Sequence, residues 1–352
     1  LVWGHTAGRG AARGDRAAGG RGRRGALSRM TVIHFHHYDR SPFSEKVRLA
    51  FGLKGLRWHS VIQPRWAPKP DLEPLTGGYR RTPVMQIGAD VYCDTRCILA
   101  ELERRFPEPS LHAEGGAGFG DALESWADRD LFGDALGLVF GTQGDRFPEA
   151  LHADRARFTA GRFSGWDPDA MRAQLPAVAA RLGRRLDRLE ALLGDGRSFL
   201  IGGAPGMADL AVRHPVWYLR ENLPDRIDWA RRPALVAWMR RLDTVGHGDR
   251  VEATPAQALQ AARHALPAAV GASTRRAAGL SEWIGRRVRV AAADWGSDPV
   301  EGVLVGCDAE RVSLSRRDER LGELTVHFPV DGFDIRLADK AGTVRTASGS
   351  AI

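Results

Sequence analysis

The chain predicts three folded parts in series: an α/β part, an all-helical part and a small all-β part. Three observations carry this. Between residues 31 and 106, short apolar runs of strand length alternate with stretches whose apolar residues fall three or four apart. From 110 to 250 the helical spacing holds alone. Beyond 280 the spacing drops to two, and glycines punctuate short β-branched runs.

A length of 352 residues is enough for several cores. A hydrophobic content of 43% with 27% charged residues describes a globular chain. No run of about 18 apolar residues occurs, so no membrane span is expected. The formal net charge of +8 at first points to nucleic acid. Yet Arg9, Arg13, Arg16, Arg21, Arg23, Arg24 and Arg29, against Asp15 alone, supply six of those eight charges. The remainder is close to balance, so nucleic acid is not an expected partner of the folded part. Residues 1–29 have no apolar period and are expected to be a disordered basic extension upstream of Met30, which reads as the start; the other reading is a basic arm for nucleic acid or acidic lipid. Cys93, Cys97 and Cys307 are too few for a disulfide framework and fit a reducing cytoplasm. No further Cys or His stands at metal spacing around the first two, and His36 and His37 face opposite sides of a strand, so no metal is expected.

In chain order, Thr31–His36 reads as a strand. The turn His37–Ser41 then hands over to a helix reaching Leu53, with Pro42 in its first turn, where the missing N–H costs nothing. Ser41 therefore stands at a helix N-terminus, a place of unpaired N–H groups that favours an anion. Its hydroxyl has two readings: a helix cap, helped by Ser44, or a donor to a bound thiolate or carboxylate. Trp58–Ile62 is a second strand, and residues 63–80, broken by proline and glycine, are a loop. A strand opened by Pro83 and a short strand Val91–Cys93 follow. Asp94-Thr95 caps a helix over Arg96–Phe106, closed by Pro107. In the helical part, Ala117–Phe140 is apolar and aromatic at helical spacing. Leu175, Val178, Ala179, Leu182, Leu186, Leu189 and Leu193 form one stripe, and helices are expected over Ala208–Leu219 and Pro233–Thr244.

Residues 31–106 resemble the thioredoxin-like domain of the glutathione transferase superfamily, serine type. Ser41-Pro42-Phe43-Ser44 stands where that fold keeps Cys-x-x-Cys and where serine-type members keep the catalytic serine. Lys46-Val47-Arg48 continues the family's first-helix pattern. Thr82-Pro83-Val84 matches its x-Pro-Val with a cis proline, and Asp94-Thr95 its acidic-Ser/Thr pair. Phe199–Leu210 is similar to the family's helical-domain signature, with Asp209 present and Gly206 in place of the usual Ser or Thr, a replacement that costs only a few tenths of a kcal/mol.

The resemblance implies a glutathione transferase with glutathione as co-substrate, an electrophilic small molecule as second substrate, a detoxifying role and a homodimer. The electrophile would lie between the two domains, near Trp126, Asp130 and Phe140. The resemblance implies that Ser41 activates the glutathione thiol. A free cysteine-type thiol has a pKa of ~8.5 and must be held ionised. Tyr38 is the rival hydroxyl: some classes use a tyrosine at the end of the first strand, a position that falls on His37, one residue earlier. Arg40 would also favour a thiolate, or is a surface arginine. Thr82 and Pro83 would hold the cysteinyl part by backbone hydrogen bonds. Asp94 and Thr95 would hold the glutamyl end, besides capping the helix. Arg81, Arg80 or Lys69 would meet the glycyl carboxylate. Two other functions are carried by the same features: a non-catalytic transferase-fold binding or scaffold protein, and a glutathione-dependent isomerase or dehalogenase.

An Ala-rich helix near Ala256–Ala265 and a linker fill 253–279. Val288–Val290, Val300–Val305, Arg311–Ser315, Leu324–Phe328 and Phe333–Leu337 are five candidate strands, read as a small SH3-like or Sm-like β-barrel; Glu301–Asp308 is similar to Sm-like proteins. Its arginines have two readings, a face for RNA or a solvated face, and the interleaved Asp and Glu with few stacking aromatics favour the second. The expected division is thus a basic extension at 1–29, the thioredoxin-like domain at 30–107, the helical domain at 110–250, the helix and linker at 253–279, the barrel at 280–338 and a tail at 339–352.

Overall fold

The structure, a computed structural model, describes residues 32–112, 117–160, 166–270 and 279–338. The expectations for residues 1–29, for the tail from 339 and for 271–278 of the linker lie outside the described residues.

Strand β1 (His34–His37) runs into α1 (Pro42–Leu53), which starts where Pro42 presets the first turn. Strand β2 (Arg57–Ile62) follows, then a one-turn helix α2 (Glu73–Thr76) inside the expected loop, β3 (Val84–Ile87), β4 (Asp90–Cys93) and α3 (Thr95–Arg105). The single apolar stretch expected over Ala117–Phe140 is two helices, α4 (Ala117–Trp126) and α5 (Phe132–Gln143), joined by a π-helical turn at Ala127–Leu131. Helices α6 (Glu149–Thr159) and α7 (Pro168–Ala173) precede α8 (Leu175–Leu193), whose Val178, Leu182, Leu186, Leu189 and Leu193 are buried in one row. Each such leucine contributes about 2 kcal/mol of transfer free energy. Helix α9 (Met207–Asn222) and α10 (Pro233–Asp243) complete the helical core around Trp238.

Asp209 ties that core together. Its carboxylate accepts from the backbone N–H of Gly206 (3.0 Å) and Leu200 (2.9 Å) and from Trp238 Nε1 (2.7 Å). With glycine as the N-cap, only this return half of the capping arrangement exists.

After α10 the chain forms β5 (Asp249–Ala253), a strand that its half-exposed, charged sequence does not announce. It exists because β2 offers a free edge, and the two pair in parallel. Helix α11 (Pro255–Arg263) follows, then β6 (Arg287–Ala292), β7 (Val300–Cys307), β8 (Arg311–Asp318), β9 (Gly322–Pro329) and β10 (Phe333–Leu337). These five strands are antiparallel neighbours in the order β10-β6-β7-β8-β9. Strand β9 then pairs in parallel with β4, so all ten strands make one sheet, β10-β6-β7-β8-β9-β4-β3-β1-β2-β5. The junction is packed as well as hydrogen-bonded. Leu72, Leu75, Tyr79, Val84 and Val91 share one buried cluster with Val288, Leu304, Leu314, Val326 and Phe328.

Candidate functional site

Register brings three sequence-distant turns to one end of the sheet. His36 pairs with Val84, and Val84 with Cys93. The turn after β1, the residues before β3 and those after β4 therefore meet: Ser41, Thr82-Pro83 and Asp94-Thr95 share that end. The parallel β4–β9 pairing, with Tyr92 opposite His327, sends the C-terminal end of β9 the same way.

Ser41 is the N-cap of α1, and its Oγ accepts from Ser44 N at 3.1 Å. The cap reading is thus met, and the O–H still has no acceptor among the described residues. One turn on, the buried Ser44 hydroxyl has no partner among the described residues. Tyr38 is half-buried beside this turn, and its carbonyl accepts from Ser41 N at 3.1 Å. Arg40 is exposed and reaches Asn222 Oδ1 at 3.3 Å, at the end of α9. The Thr82–Pro83 bond is cis. Asp94, at φ 76°, caps α3 by accepting from Arg96 N at 3.0 Å. Burial pushes its carboxyl above the usual range, against the pull of that N–H and of Arg81.

Below Thr95 lies an ionic network of residues far apart in the chain. Lys46 Nζ, fully buried, donates to Glu124 (2.6 Å), Asp128 (2.8 Å) and Thr95 Oγ1 (3.3 Å). Burial alone would lower this lysine's pKa, but Asp128 and Glu124 more than offset it and raise it. Asp128 sits in the π-helical turn and also accepts from His214 Nε2 at 2.8 Å. A parallel set anchors α1 to the helical part: Glu45 binds Arg48 (2.8 Å), Arg213 (2.6 Å) and His247 (3.1 Å). Sequence reading missed both sets. The only hint is polar residues, Glu45 and Lys46, flanking the apolar face of α1.

Beside Thr82 is a cluster of cations. Arg80 and Arg155 bind the buried Asp154, which also accepts from Ala67 N. Arg81 binds Asp294, and its Nε is buried without a partner among the described residues. Lys69 differs. It is 3% exposed, no carboxylate ion-pairs with it among the described residues, and its Nζ donates only to Thr82 Oγ1 at 3.4 Å. Burial, with Arg155 and Arg80 nearby, lowers its pKa to about 7 despite Asp154.

Of the residues expected to line the second pocket, Trp126 is half-buried against the helical core and Asp130 binds Arg185 at 3.2 Å. Phe140 is buried against Phe147 and Trp166. No group of three or more ligating side chains suited to a metal occurs among the described residues.

Two family models match the chain: the glutathione S-transferase N-terminal domain over residues 35–110, and the C-terminal domain of the same family over 172–241. Among solved structures, a GST-like protein from Pseudomonas syringae is 35% identical. It matches 88% of this chain and 100% of its own, with a TM-score of 0.70. A glutathione S-transferase from Methylobacterium radiotolerans, in complex with glutathione sulfonate, is 25% identical over 63% of this chain and 98% of its own, with a TM-score of 0.42. One from Rhodospirillum rubrum is 21% identical over 60% and 88%, at 0.47. No curated protein matches.

Proposed function

This chain belongs to the glutathione transferase superfamily, and we propose that it binds glutathione at the sheet end formed by Ser41, Thr82-Pro83 and Asp94-Thr95 and activates its thiol for attack on an electrophilic small molecule. The observation that carries this reading is Lys69, a buried cation with no ion-paired carboxylate among the described residues, bonded to the hydroxyl of Thr82. Such a group favours a ligand that brings a carboxylate to the Thr82 edge.

Lys69 receives the glycyl carboxylate. Thr82 presents its backbone to the cysteinyl part as a strand edge does. The N-terminus of α3 receives the glutamyl carboxylate, with Asp94 near the glutamyl amino group. Glutathione supplies the nucleophilic sulfur. Ser41 donates its free O–H toward it, and the N-terminal dipole of α1 lowers the thiol pKa in the same sense. Tyr38, beside the same turn, is the alternative donor. The Lys46–Asp128–His214 network holds α1 and α3 against the helical part and so fixes the distance between the Ser41 and Asp94 turns.

Calorimetry with glutathione, together with conjugation of a general electrophile, tests the reading. Millimolar glutathione that produces no binding heat ends it. The non-catalytic reading is favoured by one observation, the use of Ser41 Oγ as a helix cap. Ser41→Ala decides between them: loss of thiolate absorbance in the glutathione complex supports the enzyme, while unchanged absorbance moves the role to Tyr38 or to a binding module.

A further inference from the structure

The C-terminal strands bring two loops to the same sheet end as the candidate site. Strand β10 pairs with β6 so that Phe333 stands opposite Ala292, and β9 ends beside β4. The β6–β7 loop (293–299) and the β9–β10 turn (330–332) therefore flank Thr82-Pro83 and Asp94-Thr95, and Ala293 N donates to Gly332 O at 2.9 Å across them. Each delivers a carboxylate to an arginine beside the site: Asp294 to Arg81 and Asp331 to Arg96.

The first loop is seated firmly. Gly296 N donates to Phe158 O at 2.7 Å. Gly296 has φ +55°, and a Cβ there would lie 2.3 Å from Phe158 Cε2, so only glycine allows this approach. Trp295 packs against the helical core. The Phe158 ring carries the guanidinium groups of Arg80, Arg81 and Arg155 at 5.0 to 5.8 Å from its centroid. Asp294 is thus held at the Arg81–Thr82 edge by a glycine, a ring stack and a backbone hydrogen bond, while about half of its side chain stays exposed. Meanwhile Arg81 keeps a buried Nε–H with no acceptor among the described residues.

We propose that Asp294 is a specificity-determining residue: it occupies Arg81 in place of a ligand carboxylate, leaving for that end of the ligand Lys69, which has no ion-paired carboxylate among the described residues, and so shifts the site toward thiols whose corresponding end is uncharged. This rests on the glutathione reading above. A carboxylate-ended ligand meets Asp294 as a like charge and gains nothing from Arg81. An esterified one meets neither effect.

The test measures the affinity of the full chain and of Asp294→Asn for glutathione and for its glycyl monoethyl ester by calorimetry, with Asp294→Ala as a second variant. Both variants are expected to bind glutathione about tenfold more tightly, as loss of one nearby like charge predicts, while the ester changes by less than about twofold. Equal changes for the two ligands, or none for either, overturn the inference and leave the glutathione reading standing. Absence of binding by either thiol to any of the proteins removes that reading and the inference with it.

Discussion

At the scale of the residue, the sharpest prediction concerns Lys69. Its pKa near 7 means that it loses charge as pH rises through neutrality. A ligand carboxylate favours the charged form, so affinity is greatest below pH 7 and falls above it, by up to about tenfold per pH unit. S-Methylglutathione, which has no free thiol to titrate, isolates the effect. Its affinity should fall between pH 6.5 and 8.5, and Lys69→Met should bind weakly at pH 6.5 with a flat profile. Ser41 is the cap of α1, a role separable from the thiol contact proposed for it. Ser41→Ala should cost about 1 kcal/mol of stability through the lost cap, read by denaturant midpoint. Asp209 has a structural role. Asp209→Ala leaves Gly206 N, Leu200 N and Trp238 Nε1 without their acceptor, at about 1–3 kcal/mol for each buried donor. A loss of only a few tenths of a kcal/mol would contradict the hub assigned to it.

At the scale of the element, β1 and α1 carry unusual polar loads. Strand β1 places His34, His36 and His37 in the interior. His36 Nε2 contacts Gln86 and its Nδ1 accepts from Gln63; His37 Nε2 contacts Ser60 and its Nδ1 accepts from Arg48. Burial lowers the pKa of His34 and His36 to about 4 and, with Arg48 nearby, of His37 to about 3. The unfolded chain, with histidines at ~6.5, therefore binds more protons than the fold across that window. Their neutral-state stability is intact above pH 6.5 and is lost as pH falls from 6.5 toward 4. Glu45 acts in the same direction at lower pH: its neighbours hold its carboxyl well below the usual range, so its contribution fades as it protonates. The urea midpoint should drop steadily from pH 7 to pH 5 with little change in slope, and a constant midpoint would refute this. Helix α1 is joined to α3, α4 and the π-helical turn by Lys46, and to α9 by Glu45. Lys46→Met leaves the buried Glu124 with Arg96 and the partly buried Asp128 with His214 as their remaining partners, and a loss of about 3 kcal/mol is expected in thermal or denaturant unfolding.

At the scale of the whole molecule, the C-terminal strands are structural continuations of the first part. They cover the β4 edge, and their apolar face completes the cluster containing Leu72, Tyr79 and Val91. Arg311 adds an ion pair to the buried Glu101 of α3 at 2.8 Å. A chain ending at residue 279 would expose that edge and that cluster together. It is expected to aggregate or to lose cooperative unfolding, seen by light scattering and denaturant titration. An equally stable, monodisperse truncated chain would show that the strands are detachable.

The sequence by itself determined those features that depend on residues a few positions apart. Pro42 after Ser41 sets a helix start, Asp94-Thr95 a cap, and the leucine row of α8 a buried face, because turn chemistry and periodicity act locally. The five C-terminal strands were legible for the same reason. Tertiary structure alone decided what those strands join, where β5 finds an edge, and which charges meet. The β4–β9 pairing, the Lys46–Asp128–His214 network and the Asp294–Arg81 contact each link segments separated by tens to hundreds of residues. Nothing in a local pattern of polar side chains says which partner will offset the desolvation of each one. That is settled only when the sheet register and the packing of α6, α9 and the β6–β7 loop bring the partners within reach.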